Sequence, residues 1–478
     1  MRVHITGICG TAMAALAGML RDAGHLVTGS DANFYPPMST FLTGLGVSVV
    51  KGYRAENLAG RPEVVVMGNV ARRDNPEAVA AREQGIEIIS LPQAIQRFFL
   101  QDRLSVVLAG THGKTTLTSM VAWILLDAGL EPSYMVGGIP MNTGTNYRIA
   151  GGRHFVIEGD EYDTAYFDKQ PKFMHYRPYF AAITSVEFDH ADIYRDLDHV
   201  KEAFRRFTDL VPADGALAVC SAFPDALEVV KDARCPVQVY GTRGDEEWTA
   251  TNLSWQPGVT DFRLVRRLPT GRHKAVADVH LPLTGLHNVQ NAMAALLLAR
   301  ECGVPLVRGA EALTRFRGIM KRQQLLGEAQ GVRVLDDFAH HPTAVRRTLE
   351  GLRAGYRPGR LLAAYHFESN TSRRRIFQEE YVEALSRADR VYLSHPLVKN
   401  DTLAADEYLD PHIVASRLRD KGIPARVYPD VETMADAIVS DAVAGDLFVG
   451  MSGRDFDGLH HKVLALLEGE ESQQLWLA

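Results

Sequence analysis

The sequence predicts an α/β protein of three domains. These are a Rossmann-like N-terminal domain (1–100), a central domain of the P-loop ATPase type (101–318) and a Rossmann-like C-terminal domain (319–478). Three observations carry that expectation. The 478 residues exceed what one compact core holds. Short apolar runs alternate with helix-like stretches, the pattern of a parallel sheet with crossover helices. At 105–125 the segment SVVLAGTHGKTTLTSMVAWIL breaks off its apolar run at Gly110, passes through a glycine loop and resumes as an apolar helix.

The elements follow in order. RVHIT, HLVTGSD, VSVVKGY, EVVVMGN and IEIIS read as strands of the first domain, with TAMAALAGMLRDAG as its first helix. QRFFLQDRLSV is the expected crossing into the second domain. There the run into Gly110 is followed by HFVIEGDEYD, YFAAITSVEFDHAD and GALAVCS, strands whose polar ends lie where open α/β sheets place ligands. Residues 246–284 have β character with turn glycines and predict a small antiparallel insertion. NVQNAMAALLLARECG predicts a helix ending at Gly303. In the third domain the strands are VRVLDDFAHHP, RLLAAYHF, RVYLSHP, ARVYPD and DLFVGMSG, and the tail EGEESQQLWLA reads as a solvated helix end.

Composition excludes several classes. A formal net charge of −6 provides no basic field for nucleic acid, so an anionic ligand must be held by local donors. Cys9, Cys220, Cys235 and Cys302 show no CxxC spacing and read as buried thiols of a reducing compartment. His4, Gly7 and Gly10 break the apolar N-terminus, against a signal peptide. No apolar stretch approaches the roughly 20 residues of a membrane span. The expectation is a cytoplasmic protein with neither nucleic-acid nor membrane partners and an open oligomeric state.

Gly110-Thr111-His112-Gly113-Lys114-Thr115-Thr116 is a short form of the phosphate loop, since the longer form would need glycine at Leu108. Backbone N–H groups at the helix start attract an anion, the lysine adds a mobile positive charge, and the hydroxyl after it can hold Mg²⁺. Two acidic clusters stand at strand ends. Glu158, Asp160, Glu161 and Asp163 form one; Glu187, Asp189, His190 and Asp192 form the other. Both offer ligands for a metal riding on phosphates. DDFAHHPT loads the third domain with Asp336, Asp337, His340 and His341, and Lys321 and Arg322 precede it. Such groups would complete a site when domains close. A weaker glycine turn, Gly7 to Thr11 through Gly10, suits a pyrophosphate at a helix start, with Asp31 near a ribose. Ser30 and Asn69 read either as helpers there or as turn residues.

The loop at 110–116, Glu158, Asp189-His190, GLHNVQNA at 285–292 and DDFAHHPT at 336–343 occur in the order of the Mur ligases. The chain resembles that family over nearly its whole length. The resemblance implies an enzyme using ATP and Mg²⁺ to join an amino acid or peptide to UDP-N-acetylmuramate through an acyl phosphate. It implies that Lys114 contacts the β- and γ-phosphates, Thr115 one Mg²⁺, and Glu158 with His190 a second. It places His287, Asn288 and Asn291 near the adenine, has Asp337 and His340 contribute from the third domain, and lets Arg322 reach phosphate across the cleft. Gly7, Gly10, Thr11, Ser30, Asp31 and Asn69 would then take the UDP sugar. GSDANFYPPMST (29–40), VMGNVARRDNPE (66–77) and YFDKQPKFMHYRP (166–178) resemble the members that use the murein tripeptide L-alanyl-γ-D-glutamyl-meso-diaminopimelate. The alternatives are ligation of L-alanine alone and a nucleotide-binding protein without catalysis on the same scaffold. A dehydrogenase reading of the first turn has no use for Lys114, Glu158 and His190 together.

The chain departs from the family pattern at three places. Arg205 stands where some members carry a carbamoylated lysine. His366-Phe367-Glu368-Ser369-Asn370-Thr371 replaces the usual Glu-Pro-Arg-Ser-Asn-Thr, so arginine gives way to Glu368. MSGRDFDGLH (451–460) replaces a run usually reading SNGGFGG. The last two lie where the peptide is expected to dock. His340 or His341 is a candidate to take the proton of the attacking amine. Arg373, Arg374 and Arg375 read as a site for a peptide carboxylate or as a solvated basic helix start.

Overall fold

Three large sheets and a two-stranded ribbon, Asp163–Ala165 with Asp168–Pro171, organise the computed structural model, which describes residues 1–33, 38–398 and 403–469. Residues 34–37 of the GSDANFYPPMST stretch and the tail beyond Gly469 lie outside these. The first sheet has five parallel strands in the order Ser48–Lys51, Leu26–Asp31, Arg2–Thr6, Val64–Met67 and Glu87–Ser90. Its central strands are buried on both faces, as a sheet covered by helices requires. The strand order reverses beside Arg2–Thr6, which opens a crevice at the glycine turn. Helix Thr11–Asp22 follows that turn. Its Gly18 lies against Tyr147 of the central domain so closely that a Cβ would meet the ring at 2.4 Å. One apolar core runs unbroken from the first sheet into the second.

The second sheet has ten strands. Its parallel centre places Leu104–Ala109 between Pro178–Ile183 and His154–Gly159. The predicted antiparallel insertion is present and extends the same sheet. Trp248–Gln256 pairs with Val237–Gly241 and carries Val259–Arg267 and His273–Leu281 outward as a continuation of the same sheet. The physical reason is the open edge of Val237–Gly241, whose unpaired backbone groups accept a further strand. Helix Leu286–Glu301 is buried on nearly all sides and packs on Lys114–Asp127, the helix that opens from the glycine loop.

The third sheet runs Gln324–Ala329, Val332–Asp337, Leu447–Met451, Leu361–Tyr365, Arg390–Leu393 and Ala425–Val427. Its first strand is an antiparallel edge that the sequence reading passed over, and an apolar core covers each face. The connection into this domain is pinned to the central one. Pro140 bridges Ile319, Met141 N–H donates to Gly318 O (2.9 Å) and Met320 N–H to Ile139 O (3.0 Å). Among the described residues no helix is long and apolar enough to cross a membrane. The four cysteines are free thiols, three of them buried.

Candidate functional site

The strand order brings the glycine loop and both acidic stretches out side by side. Gly110 (φ 130°) and Gly113 (φ 82°) hold conformations that disfavour a side chain. A Cβ on Gly110 would meet Thr184 Oγ1 at 2.1 Å, and one on Gly113 would meet Asn291 Oδ1 at 2.7 Å. Lys114 Nζ donates to Gly110 O (2.7 Å) and Glu161 Oε2 (2.6 Å). Burial alone would lower its pKa, but the charges of Glu161 and Asp160 outweigh burial and raise it. Thr115 Oγ1 donates to Glu158 Oε2 (3.2 Å), whose other oxygen accepts from Gly137 N–H (2.5 Å). Burial raises the Glu158 carboxyl. Arg322 donates to Thr115 Oγ1 at 3.4 Å from the domain connection. His112 Nε2 meets Glu187 Oε2 at 2.8 Å, and Thr343 of the C-terminal domain donates to Glu187 Oε1 at 3.0 Å. Thr111 Oγ1 accepts from Glu187 N–H at 3.0 Å.

The expected metal set of Thr115, Glu158 and His190 is divided. His190 instead groups with Asp160 and Glu161, their ligand atoms all within 4.8 Å of one another. Glu158 and Thr115 bond to each other on a second face of Lys114, whose charge both clusters share. Burial works to lower the His190 pKa, but the Glu161 carboxylate, 3.7 Å from its Nε2, and the Asp189 charge raise it to about 9. Glu161 Oε1 is buried without a hydrogen-bond partner. Such an oxygen, beside a second carboxylate, fits an oxygen-seeking divalent cation, which would take the place of the His190 proton.

Between the loop and the C-terminal domain lies a cavity open to solvent. It brings together His112, Gly113, Thr116, His287, Asn288, Asn291, Arg322 and Asp337 from the expected residues, and adds Gln323 and Arg347. Burial, with the charges of Arg347 and Arg322, pushes His287 down to about 3, so its imidazole is neutral. Asn288 Nδ2 donates to Thr284 O (2.8 Å). Asp337 accepts from Gln323 N–H and Ala339 N–H, both at 2.8 Å, and burial raises its carboxyl. Arg322 stacks its guanidinium on Phe338 at 4.5 Å. Burial lowers His340, whose Nδ1 lies 3.2 Å from Phe338 O, and Tyr365 and Tyr381 donate to its carbonyl.

In the first domain, Gly7 N–H and Ile8 N–H donate to Ser30 O (2.8 and 3.1 Å), and Cys9 N–H donates to Asp31 Oδ2 (2.9 Å). Gly10 then caps helix Thr11–Asp22 with no side-chain bond, leaving its first N–H groups for a ligand. Ser30 and Asn69 depart from the expected helper role. The Ser30 hydroxyl is buried and donates to Glu77 Oε2 (2.7 Å), which also accepts from Thr6 Oγ1 (2.6 Å). Asn69 Nδ2 donates to the carbonyl and carboxylate of Asp163, both at 3.1 Å, and so ties the first domain to the second. Arg205 pairs with Glu228 at 2.7 Å. Arg373 is buried rather than solvated and donates to Leu397 O at 3.4 Å.

Sequence reasoning had the acidic runs in view but did not single out Glu161 or Glu187, and it missed Arg347, Gln323 and Glu77. The four acids of EGDEYD look alike until the backbone decides which one meets Lys114. Glu187 and Thr343 stand 156 positions apart.

Comparison with known proteins gives a consistent picture. Residues 2–103 match the family described as Mur ligase family, catalytic domain, residues 108–299 the Mur ligase middle domain, and residues 321–454 the Mur ligase, glutamate ligase domain. The chain is similar to UDP-N-acetylmuramate–L-alanyl-γ-D-glutamyl-meso-2,6-diaminoheptandioate ligase of Escherichia coli (strain K12), at 38% identity over 97% of this chain and 98% of the relative. It is similar at 36% identity, over 93% of this chain and 90% of the relative, to UDP-N-acetylmuramate–L-alanine ligase of Arthrobacter sp. (strain FB24). Among solved structures it is similar to a murein peptide ligase from Psychrobacter arcticus 273-4. That match has a TM-score of 0.72 and 32% identity, and covers 99% of this chain and 100% of that one. A likeness that spans all three sheets and the loop between them leaves one assignment: the chain belongs to the Mur ligase family.

Proposed function

We propose that this chain joins L-alanyl-γ-D-glutamyl-meso-diaminopimelate to UDP-N-acetylmuramate in an ATP-dependent amide ligation during peptidoglycan recycling. The observation that carries the reading is Lys114, held between Gly110 O and Glu161 directly after Gly113, which lines a cavity that Arg322 borders from the next domain. The relatives in Escherichia coli and Psychrobacter arcticus support the tripeptide as the second substrate.

The chemistry explains the residues. A carboxylate is a poor acyl donor, and phosphorylating it creates an acyl phosphate whose phosphate leaves when the peptide amine attacks. The sugar carboxylate and the γ-phosphate are both anionic and repel. Lys114, Arg322 and the loop N–H groups of residues 110–116 offset that repulsion, so positioning and charge carry the catalysis. Mg²⁺ held by Asp160, Glu161 and His190, with Thr115 and Glu158 beside them, would supply further positive charge to the phosphates. His287, Asn288 and Asn291 line the place for adenine, with Asp337 and His340 contributed by the C-terminal domain. The helix start at Gly7, Gly10 and Thr11, with Asp31 bracing the turn, suits the pyrophosphate of the UDP sugar. Dependence on ATP and a nucleotide sugar supports a cytoplasmic setting.

The test is phosphate release from ATP with UDP-N-acetylmuramate and either tripeptide or L-alanine. Release with the tripeptide and none with L-alanine is expected. Release with L-alanine alone overturns the substrate, and silence with both overturns the ligase.

A further inference from the structure

Two departures from the family pattern meet in space. Glu368, just beyond strand Leu361–Tyr365, is buried, and a buried carboxylate needs a counter-charge. Arg454 provides it, with Nε 3.3 Å from Glu368 Oε2, and Arg454 lies in the other departing stretch. The usual run there carries no charge. Gly453 permits the approach, because a Cβ there would meet Glu368 Oε1 at 2.3 Å. Arg454 N–H donates to Ser452 Oγ at 3.0 Å, which steadies the loop.

The contact occupies only the Nε edge of the guanidinium. Among the described residues its terminal nitrogens have no hydrogen bond, and the side chain is 60% exposed. A guanidinium fixed along one edge keeps a free fork of donors matched to a carboxylate. Its place is beside the domain connection that carries Lys321 and Arg322. A Cβ on Gly453 would also lie 3.7 Å from the Phe338 ring, Arg322 stacks on that ring, and Arg322 reaches Thr115. Asp455 of the same loop lies 3.6 Å from Lys321 in the domain connection.

Resting on the function proposed above, we infer that Arg454 binds a carboxylate of the incoming peptide and that Glu368 is its positioning residue. The substrate class is a peptide amine bearing free carboxylates, which the γ-linked glutamate and the diaminopimelate both supply.

The test measures KM for each substrate in the wild type, Arg454→Ala, Glu368→Gln and the double variant Glu368→Gln/Arg454→Gln. Arg454→Ala is expected to raise tripeptide KM by about 10-fold or more, the worth of one charge-assisted contact, with KM for ATP and UDP-N-acetylmuramate little changed. The double variant strands no buried charge and should show the same rise, which separates a lost contact from lost stability. Amidating the peptide carboxylates should raise wild-type KM and add nothing further in Arg454→Ala. An unchanged tripeptide KM in both arginine variants overturns the inference. So does a rise confined to Glu368→Gln, which would make Glu368 the anchor of the peptide ammonium. A wild type that releases no phosphate with the tripeptide removes the function beneath it, a result distinct from either.

Discussion

Lys114 Nζ sits 2.6 Å from Glu161 Oε2, so the cation of the phosphate loop is already oriented by a buried carboxylate. Replacing it with alanine should lower turnover by about 10³-fold or more, the scale seen when a cation that stabilises phosphoryl transfer is removed. Circular dichroism should show the secondary structure retained. Turnover within about tenfold of wild type would remove Lys114 from the chemistry.

Chelation by EDTA should stop phosphate release and added Mg²⁺ should restore it. In Glu161→Gln the Mg²⁺ concentration for half-maximal rate should rise by about 10-fold or more, because one ligand oxygen loses its charge. An unmoved Mg²⁺ dependence would take the metal away from the group of Asp160, Glu161 and His190.

Acid should weaken the fold in a definite window. Burial lowers His341 to about 4 and His287 to about 3, both from an ordinary 6.5. The folded chain therefore binds fewer protons than the unfolded chain across that interval, and stability falls as pH drops below 6.5. Glu187 acts in the same direction at lower pH. Burial works to raise it, but the His112 hydrogen bond and charge prevail and hold it at about 2. Its share is present above the unfolded value of 4.5 and is lost as pH falls toward 2. Urea midpoints should decline steadily on acidification, with a shallower slope in His341→Gln.

Glu77 is fully buried and accepts from Thr6, Ser30 and Asn57. Ser30 in turn presents the carbonyl that holds Gly7 and Ile8. Glu77→Ala should cost about 3 kcal/mol of stability by urea denaturation, since several buried donors lose their acceptor. It should also weaken UDP-N-acetylmuramate binding by calorimetry, where a substitution on the far side of the domain such as Glu63→Ala would not.

Much of this was legible in the sequence for a physical reason. Strands such as Val64–Met67 are short apolar runs buried on both faces, and the 110–116 loop must combine glycine, lysine and hydroxyl in a fixed order. Contacts decided by tertiary geometry were not legible. Gln324–Ala329 and Asp168–Pro171 are short, partly polar strands whose pairing depends on an edge nearby. Glu161 could not be told from Asp160 or Asp163 before the chain's path past Gly159 was known. Ser30 looked like a turn hydroxyl because Glu77, far along the chain, was not seen beneath it.

The segment that carries Arg322 has a mechanical consequence. Ile319 is anchored to Pro140, while Lys321 (φ 61°) and Gln323 (φ 48°) bend the backbone on either side of Arg322. The guanidinium therefore sits at the joint between the two domains, 3.4 Å from Thr115 Oγ1 and tied to the central domain through the bridge at Ile319. Its charge toward the phosphate loop is set by that joint rather than by the C-terminal sheet.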